Sequence, residues 1–250
     1  MSKWKRILIS LGIVVLVCGA YIWFFGLQTF FIWQARRMAR IDPALWMTPV
    51  ALSDLSVSRA PGKKLSYFGY ECEIPWDDID SERTTVIGTK AIVAFHSGNA
   101  ISFWSGPPNE LTNNLLRDGT IDRNILAQLV GDETVQLDYA FHKAVLEIAP
   151  DKFSLLTPQR QVVRQGVLFT MKAVILPPSA KSGVFSLRTS EFEGYQYGRP
   201  QGSLRSVSVE LFRSDGQVSI LFGQQLNGAT VISQADVNRV VQSVRRVPTQ

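Results

Sequence analysis

The stretch ILISLGIVVLVCGAYIWFF, residues 7–25, carries no charged side chain, and Ser10 is its only clearly polar one. As a helix it would span roughly 28 Å at about 1.5 Å per residue, close to the hydrocarbon thickness of a bilayer. Apolar character continues through Trp33, and the aromatic residues Tyr21, Trp23, Phe24, Phe25, Phe30, Phe31 and Trp33 crowd the far end. Trp23 and Trp33 suit an interfacial belt, and Arg36, Arg37 and Arg40 follow at spacings suited to lipid phosphates. This reading divides the chain into a basic tail (1–6), a single-pass transmembrane anchor (7–33), a juxtamembrane segment and linker (34–64) and one α+β domain (65–250).

The alternative reading of the same stretch is a secretory leader cut after Cys18-Gly19-Ala20. Cleavage there would leave Tyr21-Ile22-Trp23-Phe24-Phe25 as an uncovered aromatic start, so an uncleaved signal-anchor is the expectation. Three basic residues precede the span and three follow closely, which leaves the positive-inside count tied. The short N-terminal tail points to an extracytoplasmic domain.

The formal charge of +5 invites a nucleic-acid reading, but its distribution argues against one. Residues 1–40 hold six basic residues and no acid, which leaves 20 basic and 21 acidic residues for 41–250. The basicity flanks the apolar span and does not form a phosphate-binding face. The two cysteines, Cys18 and Cys72, fall in the anchor and the domain respectively, so no intrachain disulfide is expected.

Beyond a Pro- and Ser-rich linker at 42–64, the periodicity predicts strands over 65–74, 84–96 and 100–104, the last two joined at Ser97-Gly98-Asn99. Helical spacing governs 109–117, a helix capped by Asp122, a third from Leu137 to Ile148 and a longer one opened by Thr157-Pro158. Strands return at 184–189, 206–213 and 218–224. Ser233-Gln234-Ala235-Asp236 opens a closing helix in the manner of a capping box. The fold class is thus α+β: an N-terminal transmembrane helix, then a mainly antiparallel sheet with a helical middle section and a closing C-terminal helix.

That element order over residues 65–246, with its closing helix, resembles the Mog1/PsbP group of α/β/α sandwich domains. The resemblance implies an accessory or assembly role and no particular active residue.

Chemical signatures are scarce. There is no G-x-x-x-x-G-K, H-E-x-x-H, C-x-x-C or G-x-S-x-G within the domain. His96 and His142 are the only histidines; they read as a strand-end residue beside a turn and a residue on a solvated helix face. Leu65–Glu82 holds six acids and no base. Asp77, Asp78, Asp80 and Glu82, with His96, are the candidate site residues, either as a solvated acidic edge or as a carboxylate cluster for hydrolysis. No cofactor and no resident metal are expected. Trp76, Trp104 and a Gly- and Tyr-rich loop over 193–200 are candidate recognition elements; alternatively the tryptophans fill the core and the tyrosines cover a sheet edge. The leading function is a membrane-tethered binding or accessory module of the cell envelope, with lipid as one partner, a protein as a second and no nucleic acid. The alternatives are a membrane-anchored hydrolase using that carboxylate cluster, with or without a metal ion such as Ca²⁺, and a structural subunit whose Gly12, Gly19 and Gly26 allow a neighbouring helix to approach. The sequence leans away from an enzyme.

Overall fold

The computed structural model describes residues 3–60, 62–130, 136–201, 205–224 and 231–247. One unbroken helix, α1 (Lys3–Ile41), opens it. At about 1.5 Å per residue its 39 residues extend roughly 58 Å. Among the described residues no helix is long and apolar enough to cross a membrane. The run Ile7–Phe25 lies on α1, and most of its side chains, that of Trp23 included, fall outside the described residues.

A 3-10 turn at Pro43–Trp46 follows α1, with the Asp42 carboxylate accepting from Ala44 N at 3.2 Å. Then come β1 (Val50–Ala51), β2 (Lys63–Tyr67), β3 (Tyr70–Ile74), β4 (Ile79–Ile87), β5 (Lys90–Phe95) and β6 (Asn99–Gly106). The helical middle comprises α2 (Glu110–Arg117), α3 (Arg123–Val130), α4 (Leu137–Glu147) and α5 (Gln159–Ile175). The rest is β7 (Val184–Arg188), β8 (Glu193–Tyr197), β9 (Ser206–Arg213), β10 (Gly216–Gln224), α6 (Gln234–Ser243) and β11 (Arg245–Arg246). The chain is α+β.

Eight strands form one sheet in the order β1-β7-β8-β9-β10-β6-β5-β4, and only the β1–β7 pair is parallel. A second sheet has the order β11-β3-β2. The alternation along β9 shows how the layers arise. Val207, Val209 and Leu211 face a core shared with the small sheet and with Val237, Val240 and Val241 of α6. Ser208, Glu210 and Phe212 face the opposite way, toward α1–α5. The large sheet therefore sits between α6 with the small sheet on one side and a helical layer on the other.

The helical layer has its own core of Leu126, Leu129, Phe141, Val145, Leu168 and Phe169. Ala35 and Ala39 of α1 belong to it, and Phe31 and Ile32 pack against it. Gly166 of α5 makes that approach feasible, because a Cβ there would collide with the Phe31 ring. The domain consequently reaches back well before residue 65. Parts of the 34–64 stretch also dock on the domain. Ala44 and Leu45 are buried, β1 pairs with β7, and Asn238 Nδ2 donates to the carbonyls of Asp54 (2.8 Å) and Ser56 (2.7 Å). β1 thus places its backbone on β7, and residues 54–58 place carbonyls on α6.

Three expectations are corrected. The single strand over 65–74 is a hairpin, β2–β3, turning at Phe68 (φ 53°) and Gly69 (φ 80°). The strand over 84–96 is two, β4 and β5, parted by Gly88 at φ 57°. The 193–200 loop is largely β8, interior to the large sheet, where Tyr195 and Tyr197 are buried on the face toward the helical layer. Gly194 lies there because a Cβ would strike the Glu210 carbonyl of the adjacent strand.

Candidate functional site

The acidic stretch is dispersed by the fold. Glu71 pairs with Lys64 (3.2 Å) and Arg245 (2.7 Å), which hold its carboxyl below the usual range, and Glu73 pairs with Arg239 (3.3 Å). Asp78 Oδ2 accepts from Ser97 N at 2.8 Å, and Asp78 O accepts from His96 N at 2.9 Å. Asp80 is buried and braces an irregularity in β4, its Oδ1 accepting from Glu82 N (3.1 Å) and Arg83 N (3.2 Å). Its Oδ2 stands 3.7 Å from His96 Nδ1, but the His96 side chain is 70% exposed. Asp77 and Glu82 are exposed. Asp78 and Asp80 thus meet near one turn with backbone N–H groups as their partners, and no described cavity is lined by them. Among the described residues no three His, Cys, Asp or Glu side chains converge to hold a metal.

A different set of residues converges on the helix-facing side of the large sheet. In register across the strands lie Trp104 of β6, Ser219 of β10, Glu210 of β9 and Tyr195 of β8. Ser219 is small between Trp104 and Glu210, which leaves a hollow in the sheet surface. The helices bridge that hollow incompletely. The result is a cavity of about 370 Å³ whose polar and aromatic walls include Trp104, Glu110, His142, Glu210, Phe212 and Gln217.

The polar groups are held by a clasp between two helix starts. Asn109, at φ 58°, opens α2 without capping it. The cap comes from α4. The buried Asp138 carboxylate accepts from Leu111 N (2.9 Å), Thr112 N (2.8 Å) and Thr112 Oγ1 (2.7 Å). Asn109 Oδ1 accepts from Asp138 N at 3.3 Å in return. A carboxylate at the positive end of a helix supplies acceptors for N–H groups that have no intrahelical partner. The clasp fixes Glu110 beside Leu111, and His142 one turn beyond Asp138.

His142 is 6% exposed, so the solvated-face reading is corrected. Its Nδ1 lies 2.8 Å from the Asp138 carbonyl, which can only accept, so Nδ1 carries a proton. Its Nε2 lies 3.3 Å from Glu210 Oε2, and that same oxygen accepts from Tyr197 Oη at 2.8 Å. Burial, then the adjacent Glu210, raises the Tyr197 phenol well above its ordinary value, so it remains a donor. The His142 ring packs at 4.9 Å from that of Phe212. Sheet and helical layer are therefore joined by a chain running Tyr197–Glu210–His142–Asp138 carbonyl.

Glu110 completes the cavity wall. Its Oε2 is buried over Gly106 and has no hydrogen-bond partner among the described residues. A Cβ at position 106 would collide with that oxygen, so the glycine gives the carboxylate its seat.

No family model, curated protein or solved structure matches this chain. The site stands on its geometry alone. It was hidden in the sequence because Glu110, His142 and Glu210 are far apart along the chain. The alternation of β9 pointed Glu210 away from the valine face, and the Asp138–His142 spacing of four put both on one side of α4. Neither signal named its partner.

Elsewhere, Lys172 of α5 is fully buried, and its ammonium donates to the carbonyls of Met47 (2.6 Å), Leu146 (3.0 Å) and Ile148 (2.6 Å). Cys72 is buried, and desolvation, with Glu71 and Glu73 close by, pushes its thiol up to about 12. A thiol held neutral in this way is a core side chain and not a nucleophile.

Proposed function

We propose that this chain is a membrane-tethered binding module: α1 supplies the tether, and the cavity walled by Glu110, His142 and Glu210 receives the ligand. The observation that carries the tether is the change of surroundings along one continuous helix. Val14, Tyr21, Ile22 and Phe30 are exposed apolar or aromatic side chains, whereas Ala35 and Ala39 are buried in the domain core. Apolar side chains left uncovered in that number need a second environment, and a bilayer supplies it. Arg36, Arg37 and Arg40 are exposed where α1 enters the domain, with Arg37 stacked 5.1 Å above the Trp33 ring. That arrangement suits anionic headgroups. An accessory role in the cell envelope, with a single-pass anchor and an extracytoplasmic domain, accords with this reading and with the element-order resemblance to Mog1/PsbP domains.

A carbonate wash of membranes from cells making the full chain tests the tether. Retention in the pellet is expected, and release into the supernatant would exclude an integral anchor. A reporter active only after export, joined after residue 250, should give signal; activity from a cytoplasm-only reporter at the same place would reverse the orientation.

A further inference from the structure

Among the described residues, the walls of the Glu110–His142–Glu210 cavity carry two carboxylates and no lysine or arginine. Glu210 is already engaged by Tyr197 Oη and faces His142. Glu110 is not so served. Its buried Oε2 rests on Gly106 without a donor. A carboxylate removed from water on one side and left without a donor there is costly, and such groups in native proteins call for an explanation. Apart from the N-terminus of α2, on which Glu110 is the first residue, the described residues bring no positive charge to this wall, so what balances Glu110 arrives from the cavity side.

The chemistry of that partner follows from the rest of the wall. A bare divalent cation would want several hard oxygen ligands, and among the described residues no three His, Cys, Asp or Glu groups come close enough to hold one. The indole of Trp104 and the side chains of Leu111, Ile175 and Phe212 instead offer aromatic and hydrocarbon surface beside the charge. A positive charge with a hydrocarbon body suits both, since aromatic faces attract cations and apolar walls cover the remainder. A cavity of about 370 Å³ lies at the small end of ligand pockets, which run from about 300 to 1,000 Å³.

We infer that the cavity binds a small organic ammonium ion, with the Glu110 carboxylate as its counter-ion and Trp104 against its body. This rests on the proposal that the cavity is the module's ligand site.

The test uses the full chain in detergent micelles, observing the indole N–H of Trp104 by NMR, assigned through its loss in Trp104→Phe. Three probes of one shape are titrated: benzylamine, benzyl alcohol and benzoate. Benzylamine is expected to shift the Trp104 signal saturably and to bind at least tenfold more tightly than benzyl alcohol, with benzoate silent. Glu110→Gln should abolish that tenfold advantage while leaving benzyl alcohol unchanged. Gly106→Ala, which evicts the carboxylate from its seat, should do the same without removing the charge. Equal binding of alcohol and amine, or an advantage that survives Glu110→Gln, would overturn the ammonium assignment while leaving a ligand cavity in place. Should none of the three probes move Trp104, the cavity takes no ligand and both readings fall.

Discussion

The ammonium of Lys172 and the carbonyl of Ile148 are joined by a 2.6 Å hydrogen bond inside the helical layer. With Leu146 and Met47 as its other acceptors, Lys172 spends all three of its protons on carbonyls. Leu146 lies in the last turn of α4, where carbonyls lack intrahelical donors and a positive charge is favoured. Burial nonetheless lowers this lysine from its ordinary 10.5 to about 8, with Asp151 opposing the shift. Below pH about 8 the group is protonated in both folded and unfolded chains. Between about 8 and 10.5 the unfolded chain holds a proton that the folded chain has released, so the residue's contribution to stability rises with pH. The free-energy difference between wild type and Lys172→Met should therefore move in the wild type's favour by about 2–3 kcal/mol from pH 7 to 10. Urea unfolding across that range measures it. A flat difference would mean that the three carbonyls keep the ammonium charged throughout.

Removal of α1 should damage the domain itself. A chain of residues 42–250 loses Ala35, Ala39 and the Phe31 contact from the helical core. Truncating a fully buried phenylalanine costs about 3–5 kcal/mol; Phe31 is partly buried, but Ala35 and Ala39 go with it, which makes the loss a sizeable part of a typical stability of about 5–15 kcal/mol. We expect 42–250 to be poorly soluble or to melt far lower than 27–250, which keeps those side chains. Equal melting temperatures for the two would show that α1 adds nothing to the fold.

Asp138 should be among the most sensitive polar positions. Asp138→Ala strips three donors at the start of α2 of their acceptor inside the protein. A loss of about 3–4 kcal/mol follows from charge-assisted bonds and a lost cap. Asp138→Asn, which keeps one acceptor oxygen, should cost about half as much. Chemical denaturation separates the two, and a cost below about 1 kcal/mol for Ala would contradict the clasp.

Asp80 and Glu82 should behave differently although they are neighbours in an acidic run. Asp80→Ala removes the acceptor for Glu82 N and Arg83 N and should cost about 1–2 kcal/mol. Glu82→Gln, at an exposed position, should stay within about 0.5 kcal/mol. Calcium should leave the melting temperature of the wild type unchanged; a saturable rise lost in Asp80→Ala would place a metal ion on these carboxylates.

Much of the fold was legible where a local rule could act alone. Asp122 does cap its helix, accepting from Ile125 N at 2.7 Å, and the Ser233–Asp236 capping box forms in full. The β9–β10 hairpin follows its alternating valines. The failures have local causes too. Hairpin turns favour Asn-Gly because both central residues need positive φ. Phe68-Gly69 places a phenylalanine there, which no composition rule anticipates. β8 looked like a loop because Gly194 weakens a strand pattern, yet that glycine is demanded by the Glu210 carbonyl next door. The candidate site was illegible for a third reason: its members meet only after the sheet and helical layer have packed. The acids at 77–82 were conspicuous in sequence because they are adjacent, but adjacency in a strand and turn scatters side chains.

The pairing of β11 with β3 sets Arg245 opposite Glu71 and Arg246 opposite Tyr70. α6, just before it, covers the valine face of the large sheet and also receives the backbone of residues 54–60. Early segments thus wait for late ones. At a translation rate of about 5–20 residues per second, roughly ten to thirty seconds separate the synthesis of β3 from that of its partner. During that interval Val93, Phe95, Ile101 and Phe103 lack the cover that Val237, Val240 and Val241 of α6 later supply. High contact order of this kind makes folding slow and leaves nascent strands open to aggregation. A chaperone that shields the first half of the chain should accordingly raise yield more than one acting after release.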